Sequence, residues 1–246
     1  MLLRRITEHV KAQNWTAVAL DFAIVVVGVF VGLQVQDWAE EQDRRKAERS
    51  YTMRLHGEVA DLQETRAPFS EQRHQAKDDL TAATALIFGD DDRALTADEC
   101  SSIGFSYIVS NPTDDLASLI ELQSSGGLSL FQNEGVLSKL RAFLLIRARA
   151  RDSHSGITDS IIELQSKFPQ LIKVATPTIF SETPVFGTFQ CDVTGMRNSQ
   201  AFLNDYEVNQ ANYAFHVRDV GFVDDGLSDL HQILDEVLAI VHEATD

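Results

Sequence analysis

Residues 16–35 read TAVALDFAIVVVGVFVGLQV, and only Thr16, Asp21 and Gln34 among them are polar. Trp15 and Trp38 bracket the run. One helix needs about 20 mostly apolar residues to cross a bilayer, and tryptophans suit the head-group level at either end. As a helix, residues 16–37 would be about 33 Å long, against a hydrocarbon core of about 30 Å. The rival reading is a cleaved signal peptide. It fits less well, because the run is too long, Asp21 interrupts it, and the exit GLQVQDW lacks a small-x-small cleavage pattern. The sequence therefore predicts a short tail (residues 1–15), a transmembrane helix (16–37) and a domain in water (38–246).

Charge separates these parts. Arg4, Arg5 and Lys11 balance Glu8, Asp21 and Asp37 over residues 1–38, so the net charge of -16 belongs to the residues beyond. An acidic surface without a basic, aromatic-studded stripe repels phosphate backbones, which argues against nucleic acid as a partner. The basic residues flanking the apolar run do not fix its orientation. Arg4, Arg5 and Lys11 on one side are matched by Arg44, Arg45, Lys46 and Arg49 on the other. A short tail ahead of a large acidic domain suits a signal anchor that keeps the tail in the cytoplasm and places the domain outside. There, Cys100 and Cys191, both in polar, loop-like stretches, could pair in an oxidising compartment; the alternative is two unrelated buried thiols.

At 100° per residue, Asn14, Asp21, Gly28 and Gly32 fall within about 40° of one another on the helix wheel. Gly28 and Gly32 make a GxxxG step, over which two helix backbones can approach closely. An ionised carboxylate near a bilayer core costs about 2.5–3.5 kcal/mol on insertion scales, so such groups normally face protein or water. Asp21 thus either joins the glycines in a helix–helix contact or snorkels towards the near head groups. Trp15 and Trp38 are the interface anchors, and the bilayer plus a membrane-protein partner or a second copy are the expected surroundings.

Beyond the anchor the pattern is helical. The stretch AEEQDRRKAERSYTMRLHGEVADLQETR places Met53, Leu55, Val59 and Leu62 at helical spacing and continues the membrane helix. Residues 68–88 read as helix again, ending at Gly89-Asp90-Asp91-Asp92. Thr113 is the expected N-cap of the helix LASLIELQ, and Ser124-Ser125-Gly126-Gly127 its stop. A long helix is predicted from Glu134 to about Phe168. Residues 175–193, with Pro177, Pro184 and Gly187, interrupt the helical pattern around a short extended hairpin. The last helix runs from about Arg197, with Leu227, Leu230, Ile233, Leu234, Val237, Leu238 and Val241 on one face. The fold class is mainly α: a transmembrane helix followed by an extracytoplasmic helical bundle.

No catalytic or cofactor site is signalled. The seven histidines form no HxxxH pair and have no cysteine at metal-ligand spacing. Asp90-Asp91-Asp92 fails the calcium-loop register at Ala94 and Leu95. His216 with Asp219 or Glu207 invites an acid–base reading, but helical spacing produces such pairs constantly.

The stretch LDFAIVVVGVFVGLQVQDWAEE resembles a group of uncharacterised bacterial single-pass proteins, with Asp21, Gly28, Gly32, Leu33, Gln34, Trp38 and Glu40 matching and Asp37 and Ala39 departing. LIELQSSGGLSLFQNEGVLSKLRAFL and CDVTGMRNSQAFLND are similar to two later stretches of that group. The resemblance implies a helical extracytoplasmic domain on an inner-membrane anchor and carries over no catalytic residue. Three functions from different classes follow as expectations: an interaction or accessory subunit without catalysis, a proton-coupled subunit using Asp21, and a periplasmic ligand sensor acting through a partner.

Overall fold

The computed structural model describes residues 15–179 and 186–240. Among these the protein is mainly helical, with one two-stranded sheet. The elements are α1 (Trp15–Phe88), α2 (Ala97–Gly104), α3 (Ala117–Ser125), a 3-10 turn (Gly127–Leu130), α4 (Glu134–Ser160), α5 (Leu164–Lys167), β1 (Ile172–Thr176), β2 (Thr188–Cys191), α6 (Val193–Arg197) and α7 (Gln200–Leu238). Contacts divide the chain into two units, Met1–Tyr51 and Thr52–Asp246.

In the first unit, helix α1 contains the one stretch among the described residues that is long and apolar enough to cross a membrane, and its apolar side chains are exposed. Polar residues downstream pair along the helix itself: Arg45 Nε donates to Glu41 at 2.7 Å and Gln36 to Glu40 at 2.9 Å. Such i, i+4 pairs support a helix that has no core to pack on.

In the second unit, α1 differs from the expectation of two segments by running through Pro68. Proline there removes the bond to the Glu64 carbonyl, at a cost of about 3 kcal/mol. Leu62, Arg66, Leu80 and Ala83, all buried, tie the helix down on both sides of it. Thr96 caps α2 in a full capping box with Glu99. The expected cap of α3 is displaced. Leu116 takes the N-cap position with no side-chain bond, and Thr113 instead gives its carbonyl to Arg66 Nη1 at 2.8 Å. The missing cap comes from α1, where the Glu58 carboxylate accepts the Ser118 backbone N–H at 2.9 Å. Gly126, at φ 72°, closes α3 in the left-handed conformation that glycine adopts without strain.

Helix α4 stops at Ser160, short of the predicted Phe168. The Asn209 side chain takes over the backbone there, accepting from Ile162 N–H at 2.9 Å and donating to Ile162 carbonyl at 2.7 Å. Leu164 on the separate short helix α5 and Phe168 at its C-cap then turn inward, with the Phe168 ring 5.4 Å from Phe202. The extended hairpin expected within 175–193 starts earlier than that: β1 begins at Ile172 and pairs antiparallel with β2, Ile172 opposite Cys191 and Val174 opposite Phe189. Helix α7 starts at a Ser199 N-cap and buries Leu227, Leu230 and Leu234, while Val237 is exposed and Val241 lies outside the described residues. Its principal neighbour is α4.

Cys100 and Cys191 form a disulfide. Neither sits in a loop: Cys100 is buried on α2 and Cys191 ends β2. On the same strand, Phe189 lies 4.9 Å from the Phe105 ring and so close to Gly104 that a Cβ there would come within 2.4 Å of it. Glycine at 104 lets the hairpin seat on α2.

Candidate functional site

Three places in the structure concentrate unusual chemistry. The first is the stripe on α1. Gly28 and Gly32 have nothing within 4 Å of where a Cβ would stand, and the surrounding apolar side chains are exposed, Phe22 by 71% and Phe30 by 62%. Trp38 is exposed as well, by 65%. Asn14 lies outside the described residues, and Trp15 and Asp21 are placed on the helix by backbone alone. Among the described residues nothing covers the glycine step.

The second is a belt of charge inside the helical unit. Arg66, only 2% exposed, donates from Nε to Asp224 at 2.6 Å and from Nη1 to the Pro112 and Thr113 carbonyls. One turn-pair further along α1, Arg73 reaches the same carboxylate at 3.8 Å, and its two terminal nitrogens make no hydrogen bond. Burial pulls the Arg73 guanidinium below its ordinary value, Asp224 opposes that, and the Arg66 charge adds to it. His216 is buried beside them and its Nε2 has no partner. Its pKa falls to about 4, chiefly because burial disfavours the imidazolium and secondarily because Arg73 and His154 are near. A histidine held neutral this firmly, and hydrogen-bonded to the Ser110 backbone, is a core residue. Asp219 acts on His216 only as the least of these influences, a charge that opposes the shift, and its oxygens accept from Ser153 Oγ at 2.5 Å and Arg218 Nε at 2.9 Å. Elsewhere in the helical unit, buried Asp114 pairs with Arg151, whose guanidinium is held above its ordinary value mainly by that hydrogen bond.

The third is a half-buried cluster on α1 and α7. His56 Nε2 lies 2.8 Å from Asp235 Oδ1 and 3.2 Å from His231 Nε2, which is itself 3.7 Å from Asp235 Oδ1. The other ring nitrogen of His231 contacts Gln63 Oε1 at 2.6 Å. A carboxamide oxygen only accepts, so His231 Nδ1 carries the proton and Nε2 turns its lone pair to the cluster. Histidine spacing within one helix does not reveal this group, since His56 is 175 residues from His231 and 179 from Asp235. The visible half of the signal was His231 and Asp235, four apart on one helix face.

Comparisons with family models, with curated proteins and with solved structures return no match for this chain. The structure is that of a mainly helical protein with, among the described residues, one helix long and apolar enough to cross a membrane.

Proposed function

We propose that this chain is a membrane-anchored interaction subunit of a bacterial inner-membrane assembly, with residues 1–15 in the cytoplasm and the helical domain in the periplasm. The observation that carries the reading is the apolar run on α1, which none of the described residues covers and which presents Gly28 and Gly32 to open space. An apolar surface of that length is stable only against lipid or protein. The glycine step favours protein on that face, because it allows the close backbone packing that lipid tails cannot exploit. The Cys100–Cys191 disulfide supports an oxidising compartment for the domain, since such bonds persist there and are reduced in the cytosol. The resemblance of the Asp21–Glu40 stretch to bacterial single-pass proteins agrees with this placement.

Site-specific crosslinking in native membranes tests it. A photoreactive residue introduced at Val29 or Val31, beside the glycine step, should give discrete protein adducts, and Gly28→Ile with Gly32→Ile should abolish them while the protein stays in the membrane. Lipid-only labelling, unchanged by the glycine substitutions, would remove the basis for the proposal.

A further inference from the structure

We infer that His56, His231 and Asp235 bind one divalent transition-metal ion, Zn²⁺ in the first instance, in a site that joins α1 to α7. The three donor atoms, His56 Nε2, His231 Nε2 and Asp235 Oδ1, form a triangle with sides of 2.8, 3.2 and 3.7 Å. Tetrahedral Zn²⁺ holds nitrogen and oxygen ligands at about 2.0–2.1 Å, which sets its donor atoms about 3.3 Å apart. An ion about 2.05 Å from all three donors would lie about 0.7 Å out of their plane, the offset a tetrahedral centre has above one face. The side chains therefore need almost no rearrangement to ligate.

The surroundings favour a metal in two further ways. Gln63 Oε1 accepts a hydrogen bond from His231 Nδ1–H, which fixes the tautomer that directs Nε2 inward, the role outer-shell hydrogen bonds play around ligating histidines. Each ligand stands on a long helix, His231 and Asp235 on successive turns of α7, so backbone rigidity holds the geometry. Their side chains are 19%, 22% and 18% exposed, enough for an ion to enter and for water to take the fourth position.

The charge balance is simple. In the metal-free form the His56 Nε2 proton is shared towards Asp235 and His231. On coordination His56 changes tautomer, its one N–H moving from Nε2 to Nδ1 by exchange with solvent, so the ion meets two neutral imidazoles and one carboxylate and no net proton is released. Two nitrogens and one oxygen select against Ca²⁺ and Mg²⁺, which prefer all-oxygen sets. Thiolate competition is absent among the described residues because both cysteines are in the disulfide.

Full-length protein without a histidine tag, purified in mild detergent and stripped with chelator, is dialysed against graded Zn²⁺ and its metal content measured. One Zn²⁺ per chain is expected. His56→Ala, His231→Ala and Asp235→Ala should each weaken binding by at least about 100-fold, Gln63→Leu by about 10-fold, and the exposed His74→Ala not at all. Because an alanine variant could perturb the helix pair, Co²⁺ is also bound to the unaltered protein, where a strong tetrahedral visible spectrum is expected. Failure to bind one equivalent, binding indifferent to the three substitutions, or a weak octahedral Co²⁺ spectrum would each overturn the assignment and leave a hydrogen-bonded His–His–Asp cluster.

Discussion

Replacing Cys100 and Cys191 together by alanine tests how the helical domain is held. The bond closes a segment of 91 residues, linking α2 to β2. Cross-linking over that length removes about 15 cal/mol/K from the unfolded ensemble, or about 4.5 kcal/mol at 25 °C. Domains are stable by only about 5–15 kcal/mol in total, so this is a third or more of the whole. The folded side changes little by comparison. Phe189 still packs on Phe105 and over Gly104, and Asp192 N–H still donates to the Leu171 carbonyl at 2.9 Å, so the hairpin remains seated. For a domain of this size the loss corresponds to a fall in Tm of about 10–15 °C. Circular dichroism melts of wild type, double variant and wild type under reductant provide the assay, with helix content at 20 °C as the control for folding. A Tm drop below about 3 °C in both the variant and the reduced protein would refute the reasoning, since the unfolded chain would then be unconstrained by the bond.

Two other expectations rest on the buried charges. Folded His216 stays neutral down to about pH 4, whereas the unfolded chain takes up that proton near 6.5, so its contribution is complete above about pH 6.5 and is lost as pH falls towards 4. By linkage the loss is about 3 kcal/mol, and urea midpoints between pH 7 and 4.5 should flatten in His216→Gln relative to wild type. Asp224→Ala leaves Arg66 and Arg73 buried without their carboxylate and should cost about 3 kcal/mol or more in chemical denaturation, whereas a loss under 1 kcal/mol would mean that water already neutralises the pair.

Hydrophobic spacing was enough to locate the long helices, because periods near 3.6 report burial on one face and Leu55, Val59 and Leu62 on α1 or Leu227, Leu230 and Leu234 on α7 are indeed buried. Boundaries set by tertiary contacts were not legible. Nothing near Ser160 announces that Asn209, 47 residues on, will capture Ile162, nor does Thr113 show that Glu58 will cap α3 in its place. Pro68 looked like a break because proline weakens an isolated helix, but buried neighbours on both sides outweigh one lost bond. The site follows the same logic. Gly28 and Gly32 lie on one helix and their step can be read directly, while the His56–His231–Asp235 cluster exists only once α1 and α7 are side by side.

Native mass spectrometry of the protein released from its own membranes in gentle detergent addresses the interaction role most directly. A particle heavier than the 27.4 kDa chain is predicted, either a multiple of that mass or the chain with a defined partner, dissociating when Gly28 and Gly32 are replaced by isoleucine. A single chain of 27.4 kDa with only detergent and lipid attached, at every detergent concentration above micelle formation, would contradict it.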